Sequence, residues 1–183
     1  MKVNGHFLLL KIGSYEFMNK FYLDGEMFFR RAKSFRKGFG FERGDKYELL
    51  TSTLNPHSAQ LTINGIRITG ITSNILVDEE NDNPLIYSMY SISERHLLPN
   101  RLELVDQKCR EFGDYVVIIT DLDAFYELIE KQHRKFGYDI EAEAIEYVDE
   151  NTYVGHLGRY RKFSNGYAHQ EEWRIVLDNV LGE

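Results

Sequence analysis

"AHQEEWRIVL" (168–177) carries the pattern from which the rest of the chain can be read outward. Trp173, Ile175 and Leu177 recur at every second position, as in a strand with one face in a core. The same alternation puts Gln170, Glu172 and Arg174 on one face and Glu171, Trp173 and Ile175 on the other. A polar row beside a core strand has two explanations. Glu172 and Arg174 can pair with charges on a neighbouring strand, such as Glu141 or Glu143. Alternatively, the row lines a polar cleft.

Working back from that strand, "IEAEAIEYV" (140–148) alternates strictly, as a half-buried strand does, and a loop rich in Gly, Tyr and Arg (149–167) separates the two. "DLDAFYELIEKQHRKFG" (121–137) reads as a helix with Asp121 at its cap and basic residues in its last turns. "DYVVIIT" (114–120) before it reads as a buried strand, and "PNRLELVDQKCREFG" (99–113) as a helix opened by Pro and closed by Gly. "LIYSMYSIS" (85–93) is a strand preceded by the acidic loop "VDEENDNP" (77–84). In "AQLTINGIRITGI" (59–71), Asn64-Gly65 joins two β-branched runs, the signal of a type I′ hairpin. "GFGFERGD" (38–45) reads as a loop, and "EMFFRRAKSFR" (26–36) as a strand running into a basic segment. The chain starts with the strand "HFLLLKIG" (6–13), then a helix "YEFMNKFYL" capped by Ser14 and ended at Asp24-Gly25. Hairpins and helices mix without regular βαβ alternation. The expectation is a single α+β domain over 1–183, with a mixed or mainly antiparallel sheet and three or more helices.

With 183 residues, 12 Tyr and 12 Phe, the chain can bury a sizeable core. No apolar run approaches the ~20 residues that span a bilayer, and the apolar start is too short for a signal-peptide core. The lone Cys109 excludes an internal disulfide, so a cytoplasmic protein away from the membrane is expected. Charge is uneven: residues 1–43 hold nine Lys or Arg against four Asp or Glu, whereas the remainder holds 13 against 25. The basic section either contacts phosphates or complements the acidic remainder within the fold.

"KGFGF" (37–41) is similar to the aromatic strand of the RNA-recognition motif. Glu42-Arg43-Gly44-Asp45 then replaces that motif's apolar end, so a basic–aromatic surface segment of another fold is expected. The Asp-x-Asp of "VVIITDLDAF" (116–125) resembles the strand end of aspartyl phosphatases, but the same letters make a helix cap with an acidic first turn, which is the expectation here. The six histidines lack metal-ligand spacing, and neither a nucleophile elbow nor a dinucleotide-binding glycine pattern occurs.

What remains is a C-terminal constellation of Lys162, Tyr167, Gln170, Glu172 and Arg174. Gln170-x-Glu172 ahead of an apolar strand resembles the Gln/Glu-x-Glu turn of ADP-ribosyltransferases. The resemblance implies NAD as the donor, Glu172 as the catalytic acid that stabilises an oxocarbenium-like transition state, and Gln170 as the group that positions the acceptor. It also implies Lys11 on the first strand, where Arg or His is usual, and Ser88 and Tyr90 on "YSMYS" as contacts to NAD. Arg30, Arg31, Lys33 and Arg36, with Arg174, are the candidate residues for binding a nucleic-acid or protein acceptor.

The order of signals is similar, in addition, to an uncharacterised family of bacterial and phage proteins ending in Lys, an aromatic residue and Glu-x-Glu-x-Arg. "GDKYE" (44–48), "SMYS" (88–91) and "KFSNGYAHQEEWR" (162–174) occupy its slots and group Asp45, Glu48, Glu172 and Arg174. The first resemblance implies an ADP-ribosyltransferase-like toxin, defence or phage effector protein; the second implies no activity. The alternative is a non-enzymatic binding or inhibitor protein that contacts nucleic acid or a protein through the basic–aromatic N-terminal half.

Overall fold

The structure, a computed structural model, describes residues 6–36, 44–56, 60–78, 82–97 and 103–179. The chain runs β1 (His6–Gly13), α1 (Tyr15–Asp24), β2 (Arg30–Arg31), β3 (Ser52–Leu54), β4 (Thr62–Ile63), β5 (Ile66–Arg67), β6 (Ile75–Val77) and β7 (Leu85–Ser93). It continues through β8 (Tyr115–Ile119), α2 (Leu122–Arg134), β9 (Tyr138–Ala144), β10 (Glu146–Val148), β11 (Gly155–His156), β12 (Arg161–Phe163) and β13 (Glu172–Asn179). Short 3₁₀ helices fill several connections, and the fold is α+β with mainly antiparallel sheet. Among the described residues no helix is long and apolar enough to cross a membrane.

The main sheet has the order β8-β1-β7-β13-β9, antiparallel throughout. Trp173, Ile175 and Leu177 of β13, with Tyr87 and Met89 of β7, face a core closed by Leu122 and Ile129 of α2. Each large side chain removed from water there contributes about 1.5–3 kcal/mol. The opposite face carries two apolar patches: Leu10, Tyr90 and Ile92 against Cys109, and Ile86 and Val176 against Ala32 and Leu49. Ser88, Glu172 and Arg174 lie on that same face between the patches.

One irregularity opens the sheet. β1 pairs with β7 only as far as Leu10↔Tyr90, while β2 pairs the same edge of β7 at Ile86 and Leu85. Tyr87, Ser88 and Met89 therefore have no strand partner on that edge among the described residues. Past Leu10, β1 stays with β8 up to Gly13↔Tyr115 and feeds α1. The bend depends on two glycines in close approach. Gly113 has φ +145°, and a Cβ there would fall 2.2 Å from the carbonyl of Gly13. Gly25, in the left-handed region at φ 67°, then ends α1 and returns the chain toward β2.

Several local expectations hold. Asn64 and Gly65 take φ 50° and 80°, as a type I′ turn requires. Asp121 caps α2 by accepting from Ala124 N at 3.0 Å. Others are corrected. The helix expected over 99–113 is a 3₁₀ helix at Gln107–Phe112, capped by Asp106, with 99–102 outside the described residues. The expected strand in 26–36 is two residues of β2, followed by the 3₁₀ helix Ala32–Arg36. The run 140–148 breaks at Ile145, whose N–H turns to Glu172 O at 2.8 Å, and β10 then pairs in parallel with β12 inside the expected loop. β8 is an edge strand with Tyr115, Val116 and Ile118 exposed, not a buried one. Ser14 sits at the N-cap of α1 without a side-chain cap bond. The segment 37–41, similar to the RNA-recognition strand, lies outside the described residues.

Candidate functional site

The polar row of β13 is positioned by register: Glu172 faces Tyr90 and Arg174 faces Ser88 across the β7 pairing. The strand starts at Glu172, because Glu171 adopts φ 43° and ψ 44° and breaks the alternation expected from sequence. Glu171 is thus not a core-face residue. Its carbonyl accepts from Ser91 N and Oγ, both at 2.9 Å, and its carboxylate pairs with Arg95. Gln170 closes the 3₁₀ helix Ala168–Gln170 and is not on the strand, yet it reaches the same cavity as Glu172.

Arg174 is 1% exposed, and each nitrogen of its guanidinium donates within the fold. Nε donates to Glu172 Oε1 at 2.8 Å, and Nη1 and Nη2 fork onto Glu48 at 2.7 and 3.0 Å. Nη1 also meets Arg159 O at 2.8 Å. Glu143 stands opposite Arg174 in the β9 register, but the charges pair with Glu48 and Glu172 instead, which corrects the cross-strand expectation. Lys162 of β12 lies 2.7 Å from Glu172 Oε2, 3.4 Å from Glu48 Oε2 and 3.8 Å from Asp45 Oδ2. Ser88 Oγ donates to Glu172 Oε1 at 2.5 Å. Three carboxylates and two cations are thus buried together, an arrangement tolerated only when each charge is paired.

The acidic pair comes from a tight turn. Tyr47 N donates to Asp45 Oδ1 at 2.8 Å and Glu48 N to Asp45 O at 3.0 Å, while Arg36 Nε holds Glu48 O at 2.6 Å. Electrostatics then separate the carboxylates. Burial would raise the Glu172 carboxyl, but Arg174, Lys162 and the Ser88 hydroxyl overcome it and hold Glu172 well below the carboxylate range. Burial, aided by the charge of Glu48, raises Asp45 against the pull of Lys162. Burial lowers Lys162 less than Glu172 and Glu48 raise it, so it stays an ammonium.

These groups form one wall of a cavity of about 370 Å³, located where β1 and β2 part from β7. That size falls among small-molecule sites, roughly 300–1,000 Å³. Leu10, Ile12, Phe17, Phe21 and Phe28 form the apolar wall, and Arg30 joins them with its guanidinium 5.6 Å over the Phe28 ring. Lys11 sits in the opening itself. Its ammonium donates to Ser88 O at 2.6 Å and lies 4.0 Å over the Tyr87 ring; burial lowers it to about 8, with Glu172 opposing.

Lys11, Ser88, Gln170, Glu172 and Arg174 are thus brought to one cavity. Tyr90 borders it, but its hydroxyl is committed to Leu104 O at 3.2 Å and His96 Nε2 at 3.4 Å. The basic segment divides. Arg31 bonds Asn83 O at 3.1 Å, and the main chain of Lys33 bonds the Asn83 side chain at 2.9 Å. Arg36 forks onto Asp78 at 2.5 and 3.0 Å, with Lys33 Nζ 3.8 Å away. Three of the five expected acceptor contacts thus complement Asp78 and Asn83, while Arg30 and the buried Arg174 line the cavity. Tyr147, whose hydroxyl accepts from Glu172 N at 3.1 Å, carries no signal in the sequence. Lys162 does carry one, as a member of the C-terminal constellation, and Asp45 and Glu48 are grouped with Glu172 and Arg174 by the second resemblance.

Compared with family models, curated proteins and solved structures, the chain matches none.

Proposed function

We propose that the chain is an ADP-ribosyltransferase-like enzyme that takes NAD as donor and uses Glu172 as its catalytic acid. The supporting observation is that Glu172 stays ionised at the polar wall of a nucleoside-sized cavity, with Ser88 donating to the same oxygen as Arg174. NAD supplies a glycosidic bond whose electron pair leaves with nicotinamide, so positive charge develops on the ribose. A fixed carboxylate stabilises that charge, and removing one such preorganised electrostatic contact costs about 2.7–4 kcal/mol of barrier.

The donor set fits. Phe17 and Phe28 offer an apolar surface to a flat ring, Arg30 a cation to phosphate, and Glu172 an acceptor to ribose hydroxyls. Gln170 at the same cavity can orient an acceptor by hydrogen bonds. A role as a toxin, defence or phage effector in the cytoplasm belongs to this proposal. The non-enzymatic alternative has less support, because Arg31, Lys33 and Arg36 are engaged within the fold.

The test is nicotinamide release from NAD, with and without cell extract as a source of acceptors. Wild type should consume NAD and Glu172→Gln should not, while both unfold at measurable transitions. Absence of NAD consumption by folded wild type under every acceptor condition would overturn the proposal.

A further inference from the structure

Transfer from NAD to a hydroxyl acceptor leaves one proton to be placed. The C1′–N bond breaks and its electron pair leaves on nicotinamide; the new C1′–O bond forms as the acceptor O–H bond breaks. Gln170, beside the catalytic carboxylate, carries no basic atom, because an amide oxygen does not hold a proton near neutral pH. Gln170 and Glu172 alone therefore supply no base for the acceptor proton.

Of the three carboxylates around Lys162, two are already committed, and Glu26, which also lines the cavity, is an exposed residue outside this ionic cluster. Both oxygens of Glu48 are engaged by Arg174, and Arg174, Ser88 and Lys162 hold Glu172 ionised, leaving it an acceptor rather than a proton carrier. Burial lowers Lys11 to about 8, but its ammonium is tied up as a donor to Ser88 O and over the Tyr87 face. Asp45 differs. It is 4% exposed and lines the cavity, with Oδ1 held by Tyr47 N; Oδ2 meets only Lys162 among the described residues, at 3.8 Å, beyond hydrogen-bond reach. Asp45 and Glu172 both lie within 4 Å of the Lys162 ammonium, so they are neighbours on the same wall.

We infer that Asp45 is the general base of the reaction, with Oδ2 taking the proton from a hydroxyl or water acceptor as it attacks the ribose carbon. This rests on the transferase proposal above. Two carboxylates then divide the work by environment, Glu172 staying ionised to face developing positive charge and Asp45 exchanging a proton. Asp45 is displaced upward by burial and Glu48, toward the range in which a carboxylate transfers protons well, with Lys162, Arg174, Arg36 and Tyr167 as the other titratable groups coupled to it.

The experiment uses the full chain, NAD, and water or methanol as acceptor, read by nicotinamide release and by the ADP-ribose or methyl ADP-ribose formed. Asp45→Asn keeps the contact to Tyr47 N, and its folding is checked by thermal melting. The expected result is a fall of about 10²-fold or more in kcat, an unchanged KM, and loss of the pH-dependent limb of the wild-type profile. Azide, which attacks without shedding a proton, should restore nicotinamide release by Asp45→Asn but not by Glu172→Gln. If wild type turns over NAD and Asp45→Asn keeps full activity, or loses it without azide rescue, the inference is overturned and the role of Glu172 stands. If wild type turns over no NAD even with azide, the transferase proposal itself fails.

Discussion

Lys11 donates to the carbonyl of Ser88 at 2.6 Å across the opening between β1 and β7. A strand partner would normally occupy that carbonyl; the parting of the sheet leaves it to a side chain. Burial lowers the Lys11 ammonium to about 8, with the charge of Glu172 opposing. Its unfolded value is 10.5, so between about 8 and 10.5 the unfolded chain binds more protons than the folded one. Stability contributed by this group therefore rises with pH through that window. Wild type minus Lys11→Met, measured as urea midpoints from pH 7 to 10.5, should show that upward slope. At pH 7 the variant should also show the cost of the unpaired Ser88 carbonyl, about 1–3 kcal/mol.

Arg174 forks onto Glu48, 126 residues earlier in the chain, and so ties the 45–48 turn to β13. Arg174→Met should destabilise by about 3–5 kcal/mol, because it strands buried carboxylates. Arg174→Lys should recover little, since an ammonium cannot bridge two carboxylates in one plane. The double variant Arg174→Met plus Glu48→Gln should lose less than the sum of the singles, with a coupling of about 0.5–3 kcal/mol in urea unfolding. Additive losses would mean that the fork contributes nothing.

Trp173, one residue from Glu172, points to the other face and is 2% exposed against α2. Trp173→Ala should cost about 3–5 kcal/mol of stability. By contrast, its effect on NAD turnover at temperatures where it remains folded should be small. Glu172→Gln should reverse that division. Paired melting and turnover measurements on the two variants check whether the strand separates scaffold from chemistry by face.

How much of this could be seen in the chain follows from the range of the forces involved. Period-two alternation and turn chemistry are local, so β7, β13, the Asn64-Gly65 turn and the Asp121 cap are legible. Glu171 shows where alternation fails: one left-handed residue reassigns Gln170 from strand to turn, and nothing in its side chain announces this. The β1–β2 parting depends on where α1 leaves the sheet and on backbone contact between Gly13 and Gly113, residues 100 apart. Arg31, Lys33 and Arg36 look like a free basic surface until Asp78 and Asn83 are folded against them. Glu172 and Arg174 are legible as a polar row, but which charge of Asp45, Glu48 and Lys162 pairs with which is not, since long-range ion pairing leaves no periodic trace.

Asp45 and Glu172 should respond to pH with opposite signs. Glu172 is lowered from 4.5 in the fold, so its contribution is present above that value and lost as pH falls through the folded range. Asp45 is raised from 3.8, so the folded state binds the extra proton in the window above 3.8, and stability from this group falls as pH rises through it. At pH 7, Asp45→Asn should therefore raise the urea midpoint while Glu172→Gln lowers it. From pH 6 down to pH 4 the advantage of Asp45→Asn over wild type should shrink. A buried acid kept at a cost to stability is what a proton-transferring group in this cavity entails. Asp45→Asn less stable than wild type at every pH would show instead that its contact with Lys162 is a structural ion pair.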